Sequence, residues 1–149
     1  MTLLISLAVA GCGPKGIPTN YVEGIVTFDG QSLEGALVTF IPVAADGRVA
    51  SGYADATGKY TLTTDGGAPQ KGALEGDYKV TVSKMDIKEV PRLSSGPSPA
   101  SNSQYSQPEM DAVQTLMTPK VYSVANDTPL KATVKKGKND IPLEMTNIK

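Results

Sequence analysis

The chain has 149 residues, with 14 Lys or Arg against 15 Asp or Glu and a formal net charge of −1. That length suits one domain, and the balanced charge argues against nucleic acid as a partner, because nucleic acid requires a basic surface. The absence of His removes the commonest general base and zinc ligand, and the single Cys excludes an internal disulfide or a cysteine metal cluster. We therefore expect one domain with no catalytic residues, no metal site and no cofactor.

An apolar run at residues 3–10 is followed by small residues and by the only cysteine of the chain, Cys12. The run is far shorter than the roughly 20 residues that span a bilayer as a helix, but it fits the apolar part of a secretory signal peptide. The segment Val9-Ala10-Gly11-Cys12 resembles the bacterial lipobox. The resemblance implies cleavage between Gly11 and Cys12, a diacylglycerol thioether on Cys12, and an acyl chain such as palmitate on the new amine.

This resemblance predicts a signal peptide over residues 1–11 and a short tether over residues 12–20. A triacylated cysteine would hold a small domain at a membrane, because each buried CH₂ adds about 0.8 kcal/mol and stable anchoring takes more than one chain. Gly13 stands where an Asp is associated with inner-membrane retention in enteric bacteria, which favours an outer-membrane or periplasm-facing location. The alternative is a buried strand or helix in which Cys12 is a small hydrophobe. The absence of Lys or Arg before the apolar run favours that alternative.

From Tyr21 onward, apolar and polar residues alternate with the period of two that is typical of β-strands. Asp29-Gly30 predicts a two-residue hairpin turn because both positions tolerate positive φ. Pro142 predicts that the last segment lies at a sheet edge, because proline has no N–H to donate. Seven short strands separated by turn signals predict an all-β sandwich. They cover residues 22–28, 37–41, 50–55, 59–64, 78–82, 130–135 and 140–145.

Residues 85–118 differ in composition and are predicted to form a flexible insert. Within them, Leu93–Pro108 contains six Ser and three Pro in sixteen positions. Such a segment has too little apolar surface to offset the entropy lost on ordering. We expect a long solvated loop over the insert. Four apolar residues near its end have the spacing of one short helical turn: Met110, Val113, Leu116 and Met117.

The segment VEGIVTFDGQSLEGA, residues 22–36, resembles the opening of carboxypeptidase regulatory-like domains, which reads V-x-G-x-V-T-x-D-G-x-P-L-x-G-A. The segments SGYADATGKY (residues 51–60) and GDYKV (residues 76–80) resemble the motifs that follow in that family. Residues 119–149 resemble the end of small bacterial lipoproteins built on this domain. The resemblance implies a seven-stranded, transthyretin-like (prealbumin-like) β-sandwich over residues 21–149.

The residues that carry this resemblance also have structural explanations. Asp29 and Asp55 are predicted to accept hydrogen bonds from nearby backbone amides. Tyr60 and Tyr78 are predicted to be core or rim aromatics with their hydroxyls at the surface. Glycines are expected at turns that require unusual backbone angles: Gly30, Gly35, Gly58 and Gly76. The motif therefore specifies a fold and not a functional site.

Catalysis is not expected from this chain. It has no Gly-x-Ser-x-Gly motif, and without His a serine nucleophile would need a lysine as its base. The hydrolase that shares the transthyretin-like fold depends on histidines, and the zinc site of metallocarboxypeptidases lies in a separate domain with His ligands. Four aspartates lie outside any D-x-D-x-D calcium loop and are predicted to be solvated turn residues: Asp46, Asp55, Asp65 and Asp77.

We expect a non-enzymatic structural or protein-interaction domain, anchored to a membrane of the cell envelope, whose edge strands can accept a partner strand. Four lysines near the last hairpin either favour an anionic surface or protect a sheet edge from aggregation: Lys131, Lys135, Lys136 and Lys138. The alternative function is a carbohydrate-binding accessory module, with a glycan in place of a protein partner. Because the chain lacks Trp, its aromatic platform would consist of Tyr53, Tyr105 and Tyr122.

Overall fold

Short strands joined by glycine-marked turns are the main elements of the chain. The computed structural model describes residues 17–66, 70–91 and 110–147. These residues form thirteen strands and one helical turn, and they include no apolar helix of the length that crosses a bilayer. The elements are β1 (Val22–Phe28), β2 (Gln31–Ser32), β3 (Leu37–Pro42), β4 (Ala50–Tyr53), β5 (Lys59–Thr61), β6 (Thr63–Thr64), β7 (Gln70–Lys71), β8 (Gly76–Ser83), β9 (Met85–Pro91), β10 (Met110–Leu116), α1 (Lys120–Ser123), β11 (Lys131–Val134), β12 (Asn139–Asp140) and β13 (Leu143–Met145). The all-β prediction is confirmed, and each of the seven predicted segments contains a strand.

The first sheet is built around β1. On one side β1 pairs in parallel with β12 and β13, and on the other side it pairs in antiparallel with β2 and β5. Pro142 separates β12 from β13, and among the described residues these two short strands pair with β1 alone. Because proline has no N–H for a further neighbour, the last segment lies at the sheet edge, as the sequence predicts.

The second sheet has the strand order β11-β8-β3-β4-β6-β7, and each neighbouring pair is antiparallel. β3 and β8 are its two longest strands, and Phe40 on β3 lies directly opposite Val80 on β8. The chain passes from the first sheet to the second between β5 and β6, at the buried Leu62. The two sheets therefore form a β-sandwich-like arrangement that the chain itself joins along one side.

Aromatic residues occupy the centre of the core between the sheets. The ring centroid of Phe40 lies 5.7 Å from that of Tyr78 and 6.3 Å from that of Tyr60. The Tyr60 hydroxyl donates to the carbonyl oxygen of Ile141 at 2.5 Å, and the Tyr78 hydroxyl donates to that of Leu74 at 2.9 Å. The prediction that these hydroxyls lie at the surface is wrong, because each one satisfies a backbone carbonyl inside the fold.

The turns follow local sequence signals. Asp29-Gly30 joins β1 to β2 as a two-residue turn with φ angles of 49° and 82°, which confirms the predicted hairpin. Asp55 Oδ1 accepts a hydrogen bond from the backbone N–H of Thr57 at 2.8 Å, the local arrangement that was expected. Asp29 differs from the expectation, since its Oδ1 accepts from the backbone N–H of Asn147 at 3.0 Å. This aspartate therefore fastens the segment after β13 to the first hairpin.

Residues 85–91 and 110–116 form a two-stranded β-ribbon where the sequence predicts a loop. β9 and β10 pair in antiparallel over their whole length, with Ile87 opposite Gln114. The loop and the helical turn predicted for these residues are wrong, because each segment finds its backbone hydrogen-bond partners in the other, far along the chain. Leu93–Pro108, the Ser- and Pro-rich part of the insert, lies outside the described residues.

Candidate functional site

The predicted cleavage and lipidation residues, Gly11 and Cys12, lie outside the residues that the structure describes. A few residues later, at Thr19, the chain is attached to the folded domain. The hydroxyl of Thr19 donates to the carbonyl oxygen of Lys71 at 2.9 Å. Because an extended chain advances at most about 3.6 Å per residue, a lipid on Cys12 would keep Thr19 within about 25 Å of the bilayer surface.

The turn at residues 135–138 lies at the same end of the sandwich as the tether. Asn20 Oδ1 accepts a hydrogen bond from the backbone N–H of Gly137 at 2.8 Å. The buried side chain of Asn139 shapes the turn, since it donates to the carbonyl oxygen of Lys135 at 2.8 Å and accepts from the N–H of that residue at 2.9 Å. Three exposed lysines are thereby held next to the tether: Lys135, Lys136 and Lys138.

An ion cluster lies on the outer face of the first sheet, and we call it the Glu23 cluster: Tyr21, Glu23, Lys59 and Lys138. The Glu23 carboxylate lies 2.7 Å from the Lys138 Nζ and 3.0 Å from the Lys59 Nζ, and it accepts a hydrogen bond from the Tyr21 hydroxyl at 3.1 Å. Lys138 Nζ also lies 5.9 Å from the centre of the Tyr21 ring. Tyr21 directly precedes β1 and lies two residues from Glu23, so the alternation of extended chain places both on one face. The two lysines come from β5 and from the turn before β12, and no local pattern pairs them with Glu23.

The four lysines singled out from the sequence do not form one patch. Lys138 belongs to the Glu23 cluster, whereas Lys131 lies on the second sheet, directly opposite Lys79 on β8. Lys131 is on β11, the last strand at its side of that sheet, where a charged side chain discourages the addition of another strand. The four lysines therefore do not form a single basic surface that could bind an anionic partner.

The Glu23 cluster favours the ionised form of its carboxyl group. The hydrogen bond from Lys138, followed by that from Lys59, lowers the pKa of Glu23 from 4.5 to about 2. The same contacts raise the pKa of both lysines. The Glu23 side chain is 13% exposed, so the sheet and the two lysines cover most of it. The cluster therefore stabilises the fold only while Glu23 is ionised.

Replacement of Glu23 by glutamine is expected to lower the urea midpoint of unfolding near neutral pH and to have little effect near pH 2. The folded-state pKa of about 2 lies below the ordinary value of 4.5. The stabilisation is therefore fully present above pH 4.5 and is lost as the pH falls towards 2. Because ion pairs near a surface are weak, the shift should be modest. Urea unfolding across this pH range measures it.

Glu34→Gln is the matched control for this prediction, because Glu34 is exposed in a turn. It should leave the urea midpoint unchanged across the same pH range. A gap between wild type and Glu23→Gln that stays constant from neutral pH down to pH 2 would contradict the account of the cluster.

Three of the four aspartates predicted to lie in turns have separate hydrogen-bond partners: Asp55, Asp65 and Asp77. Asp77 lies on β8 and not in a turn, which corrects the prediction for this residue, and its Oδ1 accepts from the Thr133 hydroxyl at 2.6 Å. Asp65 Oδ2 accepts from the Ser51 hydroxyl at 3.4 Å. Asp46 is exposed in the loop between β3 and β4. In the described parts of the chain, no group of three or more His, Cys, Asp or Glu side chains is placed to hold a metal ion.

Of the three tyrosines predicted to form an aromatic platform for carbohydrate, the structure describes Tyr53 and Tyr122, and only Tyr53 is exposed. Tyr53 on β4 is 72% exposed. Tyr122 in α1 is buried, and its hydroxyl donates to the carbonyl oxygen of Thr146 and accepts from the N–H of Thr146, both at 3.1 Å. The prediction that Tyr122 is available to a sugar is wrong, because α1 packs against β8 and turns this ring into the core. Tyr105 lies outside the described residues.

The β9–β10 ribbon leaves the sandwich at the end opposite to the tether. β8 begins at Gly76, three residues after the Ala73 that pairs with Asn20. It runs for eight residues, or about 26 Å, and Lys84 alone separates it from β9. Two apolar side chains of β9 are 57% and 62% exposed, respectively: Met85 and Ile87. The ribbon therefore presents apolar surface away from the predicted membrane anchor.

No protein-family model, curated protein or solved structure matches this chain.

Proposed function

We propose that this chain is a lipid-anchored, non-enzymatic domain of the bacterial cell envelope that acts through contacts with other protein chains. The observation that supports the proposal is that the tether and the β9–β10 ribbon lie at opposite ends of the sandwich. The lipobox-like segment leads directly into the fold at Thr19, and the ribbon leaves the sandwich at the opposite end. A lipid on Cys12 would therefore place the ribbon on the side of the domain that faces away from the bilayer.

The anchor of this proposal is the acylated Cys12, in the outer membrane or facing the periplasm. Several acyl chains on one residue give the stable attachment that a single chain does not. The tether is short, because Thr19 is already hydrogen-bonded to Lys71. The domain would thus be concentrated near the membrane, which favours contact with partners in the same layer.

We further propose that residues 21–149 form a transthyretin-like sandwich of the carboxypeptidase regulatory-like type. Two packed sheets and the edge position of the last segment are in keeping with this fold. The turn positions of the resemblance carry glycines with φ angles between 70° and 145°, a conformation that favours glycine: Gly30, Gly35, Gly58 and Gly76.

A contact role suits the described surface better than catalysis does. The chain has no His, and Asp65 and Asp77 are engaged with separate hydroxyl groups. By contrast, β9 offers exposed apolar side chains and a strand that pairs on one side only among the described residues. A strand of that kind can bind another by continuing the sheet.

Replacement of Cys12 by serine is expected to abolish labelling of the protein by radioactive palmitate and to release it from the membrane fraction. The thioether requires a thiol, which serine lacks. Bacteria that express the full chain are labelled with palmitate, lysed and fractionated, and the protein is followed by immunoblot. The effect should be complete loss of the label.

Two matched variants make this test specific. Gly13→Ala keeps the cysteine in place and should remain labelled. The double variant Cys12→Ser/Ser32→Cys moves the single thiol to an exposed position on β2 and should be unlabelled. If Cys12→Ser retained both its label and its membrane attachment, the anchor would lie elsewhere and the proposal would be wrong.

A further inference from the structure

Among the described residues, no strand pairs with the outer edge of β9. Met117 N–H donates to the carbonyl oxygen of Lys84 at 2.7 Å, and these two residues continue the register of the ribbon. Hydrogen-bonded and non-hydrogen-bonded pairs alternate along an antiparallel ladder. The N–H and C=O groups that point away from β10 therefore belong to Met85, Ile87 and Glu89. In the described parts of the chain, β9 pairs with β10 alone, so this edge is a template for a further strand.

The two faces of β9 differ in chemistry. Met85, Ile87 and Glu89 project from one face, and all three are exposed. Asp86 and Lys88 project from the other face, with Lys88 Nζ 3.6 Å from Asp86 Oδ2. A strand that adds to this edge must therefore match an acidic and a basic residue two positions apart.

A second copy of β9 meets this requirement in one register. When two β9 strands lie antiparallel and centred on Ile87, Asp86 of each chain is opposite Lys88 of the other. A register centred on Asp86 would oppose two aspartates, and a register centred on Lys88 would oppose two lysines. A parallel, in-register pair would also place like charges side by side, and like charges in such positions are destabilising.

The backbone supports the same register. Centring on Ile87 pairs the residues whose N–H and C=O groups point outward: Met85 with Glu89, and Ile87 with its own copy. These are three hydrogen-bonded pairs across the edge. Pro91 has no N–H to donate, so the new ladder ends there. β10 offers no comparable charge match, because Asp111 is the only charged residue in it.

We propose that β9 pairs with β9 of a second copy of this chain, antiparallel and centred on Ile87, to give a four-stranded sheet with the order β10-β9-β9-β10. The interface is isologous and closes on itself, as a twofold dimer requires. An isolated two-stranded ribbon is only marginally stable in water, and the dimer covers its open edge. This inference deepens the contact role proposed above, but it does not depend on the lipid anchor.

Disulfide trapping tests the register. The full chain is prepared with Cys12→Ser, so that an introduced cysteine is the only thiol, and it is kept in mild detergent. Ile87→Cys should form a covalent dimer on oxidation, because Cα atoms of a hydrogen-bonded pair lie about 5.5 Å apart, within the range of a disulfide. Gln114→Cys is the matched control. It is exposed directly opposite Ile87, but it would lie about 14 Å from its copy across three strand spacings.

Charge reversal tests the ion pairs between Asp86 of one copy and Lys88 of the other. Asp86→Lys and Lys88→Asp should each weaken the dimer about tenfold or more, since two attractive pairs become two repulsive pairs. Mixing these two variants should restore a heterodimer, because each lysine then faces an aspartate. The double variant Asp86→Lys/Lys88→Asp should restore the homodimer. Recovery on mixing also shows that both variants are folded.

The mass of the protein in solution decides the outcome. Light scattering should give twice the 15.5 kDa of one chain for the Cys12→Ser protein and about one chain for each single reversal. Any of three results would overturn the proposal: a Cys12→Ser protein that stays monomeric up to about 0.1 mM, a Gln114→Cys protein that cross-links as well as Ile87→Cys, or charge reversals that leave the mass unchanged. Because this protein is not lipidated, its mass is independent of the palmitate experiment, and either proposal can fail alone.

Discussion

Replacement of Phe40 by alanine is expected to lower the free energy of unfolding by about 3–5 kcal/mol. The ring is fully buried at the centre of the second sheet and lies against Tyr60 and Tyr78. Alanine would leave a cavity between the two sheets that the surrounding tyrosines cannot fill, because hydrogen bonds to backbone carbonyls fix their hydroxyls. Urea unfolding followed by circular dichroism measures the loss.

Tyr53→Ala is the matched control for Phe40→Ala. It also removes an aromatic ring from the second sheet, but Tyr53 is an exposed residue of β4. The free energy of unfolding should change by less than about 0.5 kcal/mol. Equal losses for the two variants would show that Phe40 does not occupy the centre of the core.

Replacement of Gly24 by alanine is expected to lower the free energy of unfolding by about 2–4 kcal/mol. An added Cβ would overlap the carbonyl oxygen of Ile141 and lie 2.9 Å from Cε1 of Tyr60. The carbonyl cannot move aside freely, because it accepts the hydrogen bond of the Tyr60 hydroxyl. The substitution would therefore disturb β1 and the edge segment at once, and thermal unfolding measures the effect.

Ile25→Ala is the control for Gly24→Ala, since Ile25 is the next residue of β1 and is exposed. Its effect should remain within about 0.5 kcal/mol. A Gly24→Ala protein as stable as wild type would mean that β1 and the segment around Ile141 are not in contact.

Local signals were enough to predict the seven segments that contain the main strands of the two sheets, and several turns. Asp29-Gly30 adopts positive φ at both positions, and Asp55 bonds to the amide of Thr57 in its own turn, so these outcomes follow from neighbouring residues alone. Contacts between distant residues were not predictable in this way. The Tyr60 hydroxyl binds the carbonyl of Ile141, and nothing near either residue in the sequence indicates the other.

The ribbon shows how composition can hide a strand. Residues 85–88 alternate between apolar and charged side chains, but the Ser- and Pro-rich residues that follow favour a loop over the whole insert. Its partner strand β10 comes after that segment, so the pairing depends on residues far apart in the chain. The loop prediction failed because strand pairing is a tertiary property.

The candidate site was predictable only where its residues are neighbours in the sequence. The lipobox-like segment is a continuous motif, so Gly11 and Cys12 are found from the sequence, although they lie outside the described residues. Glu23 is surrounded by lysines from two other parts of the chain, and only the register of β1 brings them together. Tyr122 was expected at the surface, but packing of α1 against β8 buries it.

Mass spectrometry of the protein purified from bacterial membranes shows directly whether Cys12 carries the lipid anchor of this domain. We expect an N-terminal peptide that begins at Cys12, with a diacylglycerol thioether on its sulfur and an acyl chain on its amine. A membrane-derived protein in which residues 1–11 remain joined to an unmodified Cys12 would contradict the proposed anchor.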